Sequence, residues 1–158
     1  MAIDPRELRN VMGHFATGVT VITTKDKTDK PFGLTANAFS SLSLDPPLLL
    51  VCIDKTVDCY DCFEDSKVFA VNFLSLAQEE LSTRFATKGI EKFEGVSYTL
   101  GGLGVPLLDG ALAHLECRVA AGYEGGDHTI YTGEVQTIAT ADAEPLLFYK
   151  GKYRQLAE

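Results

Sequence analysis

Positive charge is scarce in this chain. Its 14 lysines and arginines stand against 22 aspartates and glutamates, a formal net charge of −8. Nucleic acids and anionic membranes bind through a basic footprint, so neither is an expected partner. Any phosphorylated ligand must be drawn in by local cations against an unfavourable overall field. No apolar run approaches the roughly 20 residues of a membrane-spanning helix. The opening MAIDPRELRN lacks an apolar signal segment, and a cytoplasmic location is expected. No Pro/Ser-rich linker, internal repeat or low-complexity tract divides the chain. With 46% hydrophobic residues, 1–158 is long enough for a single domain with its own core.

Cysteine is sparse too, with only Cys52, Cys59, Cys62 and Cys117. Cys59-Tyr60-Asp61-Cys62 has the C-x-x-C form, but no second pair completes a zinc site. The surrounding VDCYDCFEDS reads as a short acidic helix. Acidic neighbours raise thiol pKa values, the wrong direction for a reactive redox pair. These residues are expected to be reduced packing thiols, with no metal bound.

What the chain does carry is concentrated in PFGLTANAFSSLSLDPPLLLVCIDK, from Pro31 to Lys55. Phe32, Leu34, Ala36 and Ala38 alternate with Gly33, Thr35 and Asn37, the period of a strand. The second face is small and hydrogen-bonding where a solvent face would carry Lys and Glu, leaving room for a flat ligand. Ser40, Ser41 and Ser43 supply hydroxyls at the strand end. After the Asp45-Pro46-Pro47 turn, Leu48 to Ile53 reads as a buried strand that delivers Asp54 and Lys55 to an edge. Donors, serines and a cation in one hairpin suit a ligand that has both a ring and a phosphate.

Elsewhere, Asp4-Pro5 starts a helix with an N-cap Asp and Pro at the first helical position. Leu8, Val11, Met12 and Phe15 give it an apolar face, and Gly18 closes or closely follows it. Val19 to Thr24 is β-branched and predicts a strand, joined by the charged loop Lys25–Lys30 to the ligand-type strand. A short helix over Thr56–Asp65 precedes a strand over Lys67–Leu74. Ser75 to Gln78 has the pattern of a capping box, and the helix after it carries Leu81, Arg84 and Phe85. Lys88–Gly104 is glycine-rich and is expected to be a mobile loop with one short strand. Ala111–Tyr123 alternates, with Cys117 and Tyr123 inward and His114, Glu116 and Arg118 outward. A turn at Glu124–Asp127 leads into the partner strand His128–Val135, where Gly133 marks a bulge or a close backbone approach. Leu146–Tyr149 is a last strand. Short strands joined by turns, with about three inserted helices and no βαβ rhythm, predict a mainly β fold of barrel type.

Four segments in order, FATGVTVITT, GLTANAFSSLSLDPPLLLVCID, GDHTIYTGEV and PLLFYKGKYRQL, resemble the motifs of the flavin reductase family. The resemblance runs from Arg9 to about Leu156 and is strongest to the short reductases that serve two-component aromatic monooxygenases. It implies an FMN-binding split β-barrel of Greek-key type, assembled as a homodimer. The implied activity is hydride transfer from NADH, or NADPH, to FAD or FMN, with the reduced flavin passed to a partner monooxygenase. It implies that Gly33, Leu34, Thr35, Ala36 and Asn37 lie along the flavin ring. Ser40, Ser41, Cys52, Ile53, Asp54 and Lys55 fall along the ribityl chain and phosphate, and Arg84 and Phe85 supply a second phosphate and ring contact. His128 stands at the nicotinamide as a positioning group rather than an essential acid or base, and Tyr149 lies near the flavin. Lys150 stands where many members carry arginine, and Lys88–Tyr98 follows no family pattern, so the flavin and nucleotide preferences stay open. The same barrel also occurs in proteins that hold flavin tightly as electron carriers or stress proteins, and a ligand-free interaction module is a third class.

Overall fold

Two-residue alternation builds nearly everything in the molecule. The computed structural model describes Met1–Glu158. In chain order the elements are α1 (Pro5–Met12), β1 (Thr17–Gly18), β2 (Thr20–Lys25), β3 (Pro31–Ala36), β4 (Phe39–Leu44) and β5 (Pro47–Asp54). Next come α2 (Tyr60–Ser66), β6 (Val68–Phe73), a 3₁₀ turn (Leu76–Gln78) and α3 (Glu79–Ala86). The remainder is β7 (Tyr98–Leu100), β8 (Pro106–Leu108), β9 (Ala113–Gly125), β10 (His128–Thr140), β11 (Leu147–Tyr149) and β12 (Lys152–Arg154). Seven strands form one antiparallel sheet in the order β3-β2-β6-β9-β10-β5-β4, and the chain crosses from β5 to β6 past β10 and β9, a Greek-key step. Strands β1-β11-β12 and β7-β8 make two small satellite sheets. No helix is long and apolar enough to cross a membrane.

β2 is buried on both faces, and its alternation explains the packing. Ile22 points into one cluster with Leu34, Val51, Ile53, Phe69 and Tyr131, closed by Cys59, Cys62 and Phe63 from α2 and its start. Val21 points the other way, joining Val19, Leu74, Phe85, Leu108 and Leu146 beneath α3. Phe63 stacks on Tyr131 with centroids 5.2 Å apart and 15° between planes. Full burial of such a side chain contributes about 1.5–3 kcal/mol. The sheet curls around the first cluster, yet no ladder joins the end strand β3 to β5 or β4. The result is a split β-barrel, and the slit between β3 and β5 matters below.

The predicted bulge at Gly133 is present. The β9–β10 register shifts between Thr132 and Gly133, and a Cβ on Gly133 would lie 2.5 Å from the Phe69 ring. Only glycine lets the two strands approach there. Gln78 Oε1 accepts the Ser75 N–H at 2.9 Å, one half of the predicted capping box.

Several expectations are corrected. Glu116 is buried at 4% exposure, because its carboxylate accepts the N–H groups of Gly102 and Leu103 and the Thr137 hydroxyl. Tyr123, expected inside, is exposed because β9 and β10 run past the core as a free hairpin. α2 begins at Tyr60 rather than Thr56, after a turn. The first half of the 88–104 stretch is tied down by Arg84 and Lys92 rather than mobile, while the one short strand expected there is present as Tyr98–Leu100, paired with β8. The serines occupy an edge strand of their own, β4. The apolar side of α1 is formed as expected but buries nothing, and Leu8, Val11, Met12 and Phe15 are all exposed.

Candidate active site

The end strand β3 meets the neighbouring pair β5 and β10, from the other side of the sheet order, at the slit. β3 brings Leu34, Thr35 and Ala36 and runs on into Asn37 and Ala38. β5 brings Cys52 and Asp54, and β10 brings His128. Val57, Asp58, Phe85, Ala86, Lys88 and Lys92 complete a cleft of about 270 Å³. The Cys52 N–H donates to the Ala38 carbonyl at 2.9 Å, fixing the corner after β3 against β5. His128 pairs in register with Asp54, so both side chains stand at the same end of the cleft.

Each predicted residue can now be located. Leu34, Thr35, Ala36, Asn37, Cys52, Asp54, Phe85 and His128 line this one cleft. Gly33 does not offer open space to it, because a Cβ there would meet the Phe85 ring at 2.9 Å. Helix α3 thus packs on much of the small-residue face of β3. The Thr35 hydroxyl donates to the Ser82 carbonyl on that helix at 2.6 Å. Ile53 points into the core at 0% exposure, which leaves only its backbone toward the slit. The Ser40 hydroxyl donates to the Ser41 carbonyl at 2.9 Å, and both serines sit on the exposed edge strand. Tyr149 lies on β11 with its ring edge-on to His14, 6.4 Å between centroids, outside the cleft.

The charged residues divide by their partners. Lys55 Nζ pairs with Glu124 at 2.5 Å, and that hydrogen bond raises the pKa of the lysine. Arg84 Nε donates to the Lys92 carbonyl at 2.6 Å, and its Nη2 donates to the carbonyls of Glu91 and Glu94, each at 2.8 Å. The guanidinium therefore organises the loop after α3 and does not line the cleft. Asp54 accepts the Thr56 N–H and hydroxyl at 2.7 and 2.8 Å, which lowers its pKa. His128 Nδ1 lies 2.6 Å from Asp127 Oδ1. Lys88 and Lys92, which sequence reasoning did not single out, are the cations on the cleft wall. Their only sequence signal was position, directly after the helix that carries Phe85.

Cys52 lines the cleft, and desolvation raises its thiol pKa. Cys59 and Cys62 are free and buried, and burial pushes them up to about 12 and about 11. Thiols so protonated are poor nucleophiles. The cleft itself suits a flat heteroaromatic ring: Leu34, Ala36, Val57 and Phe85 give apolar walls, while Asn37, Asp54, Asp58, Lys88, Lys92 and His128 give a mixed polar rim.

A curled antiparallel sheet with an unclosed slit defines the split-barrel class of fold. Within that class the chain belongs to the family described as flavin reductase like domain, whose profile matches residues 12–157. It is 43% identical over 153 residues to the flavin-dependent monooxygenase reductase subunit HsaB of Rhodococcus jostii, covering 96% of this chain and 78% of that protein. It is 42% identical over 148 residues to the FMN reductase (NADH) SmoA of Agrobacterium fabrum, covering 94% and 84% respectively. Among solved structures, the Streptomyces globisporus NADH:FAD oxidoreductase SgcE6, in complex with NAD and FAD fragments, superposes with a TM-score of 0.92. It is 42% identical, with 99% of this chain and 97% of that one covered.

Proposed function

We propose that this chain is an NADH-dependent flavin reductase that passes its reduced flavin to a partner monooxygenase. The observation that carries the reading is the convergence of Leu34–Asn37, Cys52, Asp54, Phe85 and His128 on one cleft in a member of this family. FAD and FMN are both candidate flavins, since relatives are named for each. NADH is the favoured reductant, named in several relatives, and NADPH is the alternative. The oxygenase partner follows from relatives named as monooxygenase reductase subunits.

Reduced nicotinamide supplies a hydride that the flavin accepts, so the cofactors carry the electronic chemistry. The protein's part is positional. Leu34, Ala36, Val57 and Phe85 exclude water from a ring held against β3. The Asn37 side chain and nearby backbone N–H groups direct donors at the polar edge of that ring. His128, fixed by Asp127, orients the nicotinamide at the open end. Lys88 and Lys92 attract phosphate in a chain whose overall charge repels it. No side chain has to move a proton, and no residue is assigned as an essential acid or base.

The assembly we propose is a homodimer built from one domain per chain. It is supported by the exposed apolar side of α1, by Phe15 just after it at 77% exposure, and by Leu44 at 97% on the edge strand β4. Light scattering under assay conditions is expected to give twice the chain mass, and a monomeric mass would contradict this. The activity is tested by following NADH oxidation with FAD or FMN added in turn. Multiple turnovers that depend on free flavin are expected. Tight flavin binding without NADH oxidation would instead make the chain a carrier.

A further inference from the structure

β10 lies between β9 and β5 in the main sheet, yet its second half has only one neighbour. Its ladder with β5 runs from His128 to Glu134 and ends at Leu48. Beyond that pair, Thr137–Thr140 pair with β9 alone, and no backbone group of Gln136–Thr140 bonds outside that ladder. About half of the N–H and C=O groups of such a run point away from its single neighbour. The run carries no charge and no proline, and Ile138 within it is 74% exposed. Natural proteins guard open edges with charges, prolines, bulges or covering segments. The outer edge of β4 has such guards: its register with β5 shifts between Ser41 and Ser43, and the Ser40 hydroxyl occupies the Ser41 carbonyl. β10 has none beyond its own register shift between Val135 and Thr137.

An open run of this kind accepts another strand, and its chemistry selects a second copy of this chain. An isologous contact brings the same surface from both partners. A carboxylate-free run is therefore where a chain of net charge −8 meets its own copy with least repulsion. A two-fold axis also turns a strand antiparallel to itself, so one run supplies both sides of the new ladder. Five residues bury less than the roughly 1,200–2,000 Å² of a stable interface, and further apolar area stands close by. Leu44 pairs with Pro47, next to the Leu48–Glu134 pair, so it lies at this end of the sheet, 97% exposed. We infer that the homodimer forms by strand addition, Gln136–Thr140 of one protomer pairing antiparallel with the same run of its partner. The two main sheets then become one, with Ile138 beside the axis. Glu134 and Asp142 flank the run, so the pairing brings Glu134 of one copy near the Asp142 of the other. The inference rests on the homodimer reading and adds to it the surface that makes the contact.

The test follows sedimentation and hydrogen exchange of the 136–140 amides in the purified full chain across a dilution series. The outward-facing amides are expected to exchange roughly tenfold faster once dilution gives monomer. Exchange that ignores dimerisation would place the contact elsewhere, overturning the inference and leaving the homodimer intact. Two variants read the same edge. Ile138→Lys sets two like charges together near the axis, whereas Ile138→Val keeps the apolar, β-branched edge. Ile138→Lys is expected to raise the dimer Kd roughly tenfold or more, and Ile138→Val less than about threefold, with circular dichroism unchanged in both. Equally tight dimers from all three chains would overturn the inference. Raised NaCl is expected to tighten the dimer by screening Glu134 from Asp142. Loosening would mean that ion pairs hold the contact, which this run cannot supply, and would also overturn it. A wild-type chain that stayed monomeric at every concentration would overturn both the inference and the homodimer.

Discussion

Two ends of the cleft treat charge in opposite ways. At the β9–β10 hairpin end, Lys55 is paired with Glu124, His128 with Asp127, and Asp54 with the amide and hydroxyl of Thr56. At the α3 end, Arg84 is committed to three carbonyls, and it holds in place a loop whose own Lys92 has no acidic partner. An exposed ion pair such as Lys55–Glu124 is worth only about 0–1 kcal/mol, so a ligand can exchange into it. The Arg84 arrangement cannot be exchanged without releasing the loop. A cation beside a cleft is thus defined less by its charge than by what already holds it.

The strongest way to break this comparison is Arg84→Ala. Losing charge-assisted bonds to three carbonyls, which can rehydrate at the surface, is expected to cost about 2 kcal/mol of stability. It should also weaken flavin at least tenfold, because the loop carries Lys88 and Lys92. Thermal melting, and hydrogen exchange of the 88–97 amides, report the loosening. Weakened flavin with both readouts unchanged would mean that Arg84 touches the ligand itself.

Lys55→Ala sharpens the same contrast. It is expected to raise the flavin Kd about threefold, less than Arg84→Ala, since only an exchangeable surface pair is lost. A larger effect than at Arg84 would reverse the ranking of the two ends. His128→Ala removes about one hydrogen bond's worth of positioning, near 1 kcal/mol. The KM for NADH should rise about fivefold while the flavin Kd moves less than twofold. The reverse split would put His128 on the flavin side. The smallest effect is expected from changing Cys59 and Cys62 together to Ala. Turnover should stay within twofold, since thiols with pKa values pushed up to about 12 and about 11 take no part in chemistry at neutral pH. Lost activity in a folded double variant would restore a redox role to the pair.

Much of this was legible in the sequence because it depends on local period. Alternation in β3 and β9, β-branching in β2 and the apolar run of β5 pointed to the strands, Asp4-Pro5 gave a helix start, and Gly133 marked the register shift. The four motifs pointed to the family and contain seven of the predicted cleft residues, Leu34–Asn37, Cys52, Asp54 and His128. What stayed hidden depends on distant pairing. Glu116 sits where alternation points outward, and nothing nearby announces that residues 102, 103 and 137 will solvate its carboxylate. Gly33 and Thr35 looked like a ligand face because small residues suit a flat ligand and a packed helix equally well. Here α3 takes most of that face, with Phe85 against Gly33 and the Ser82 carbonyl on Thr35. Lys92 could not be distinguished from the lysines around it until its carbonyl partners were known.

The account turns on where the flavin ring lies, and a crystal structure of the FAD complex tests that directly. The ring is expected against Leu34–Ala38, between Phe85 and His128, with a phosphate oxygen within hydrogen-bond distance of Lys92 Nζ. A ring seated instead in the apolar groove formed by Phe15, Phe39, Phe73 and Leu146 would contradict it.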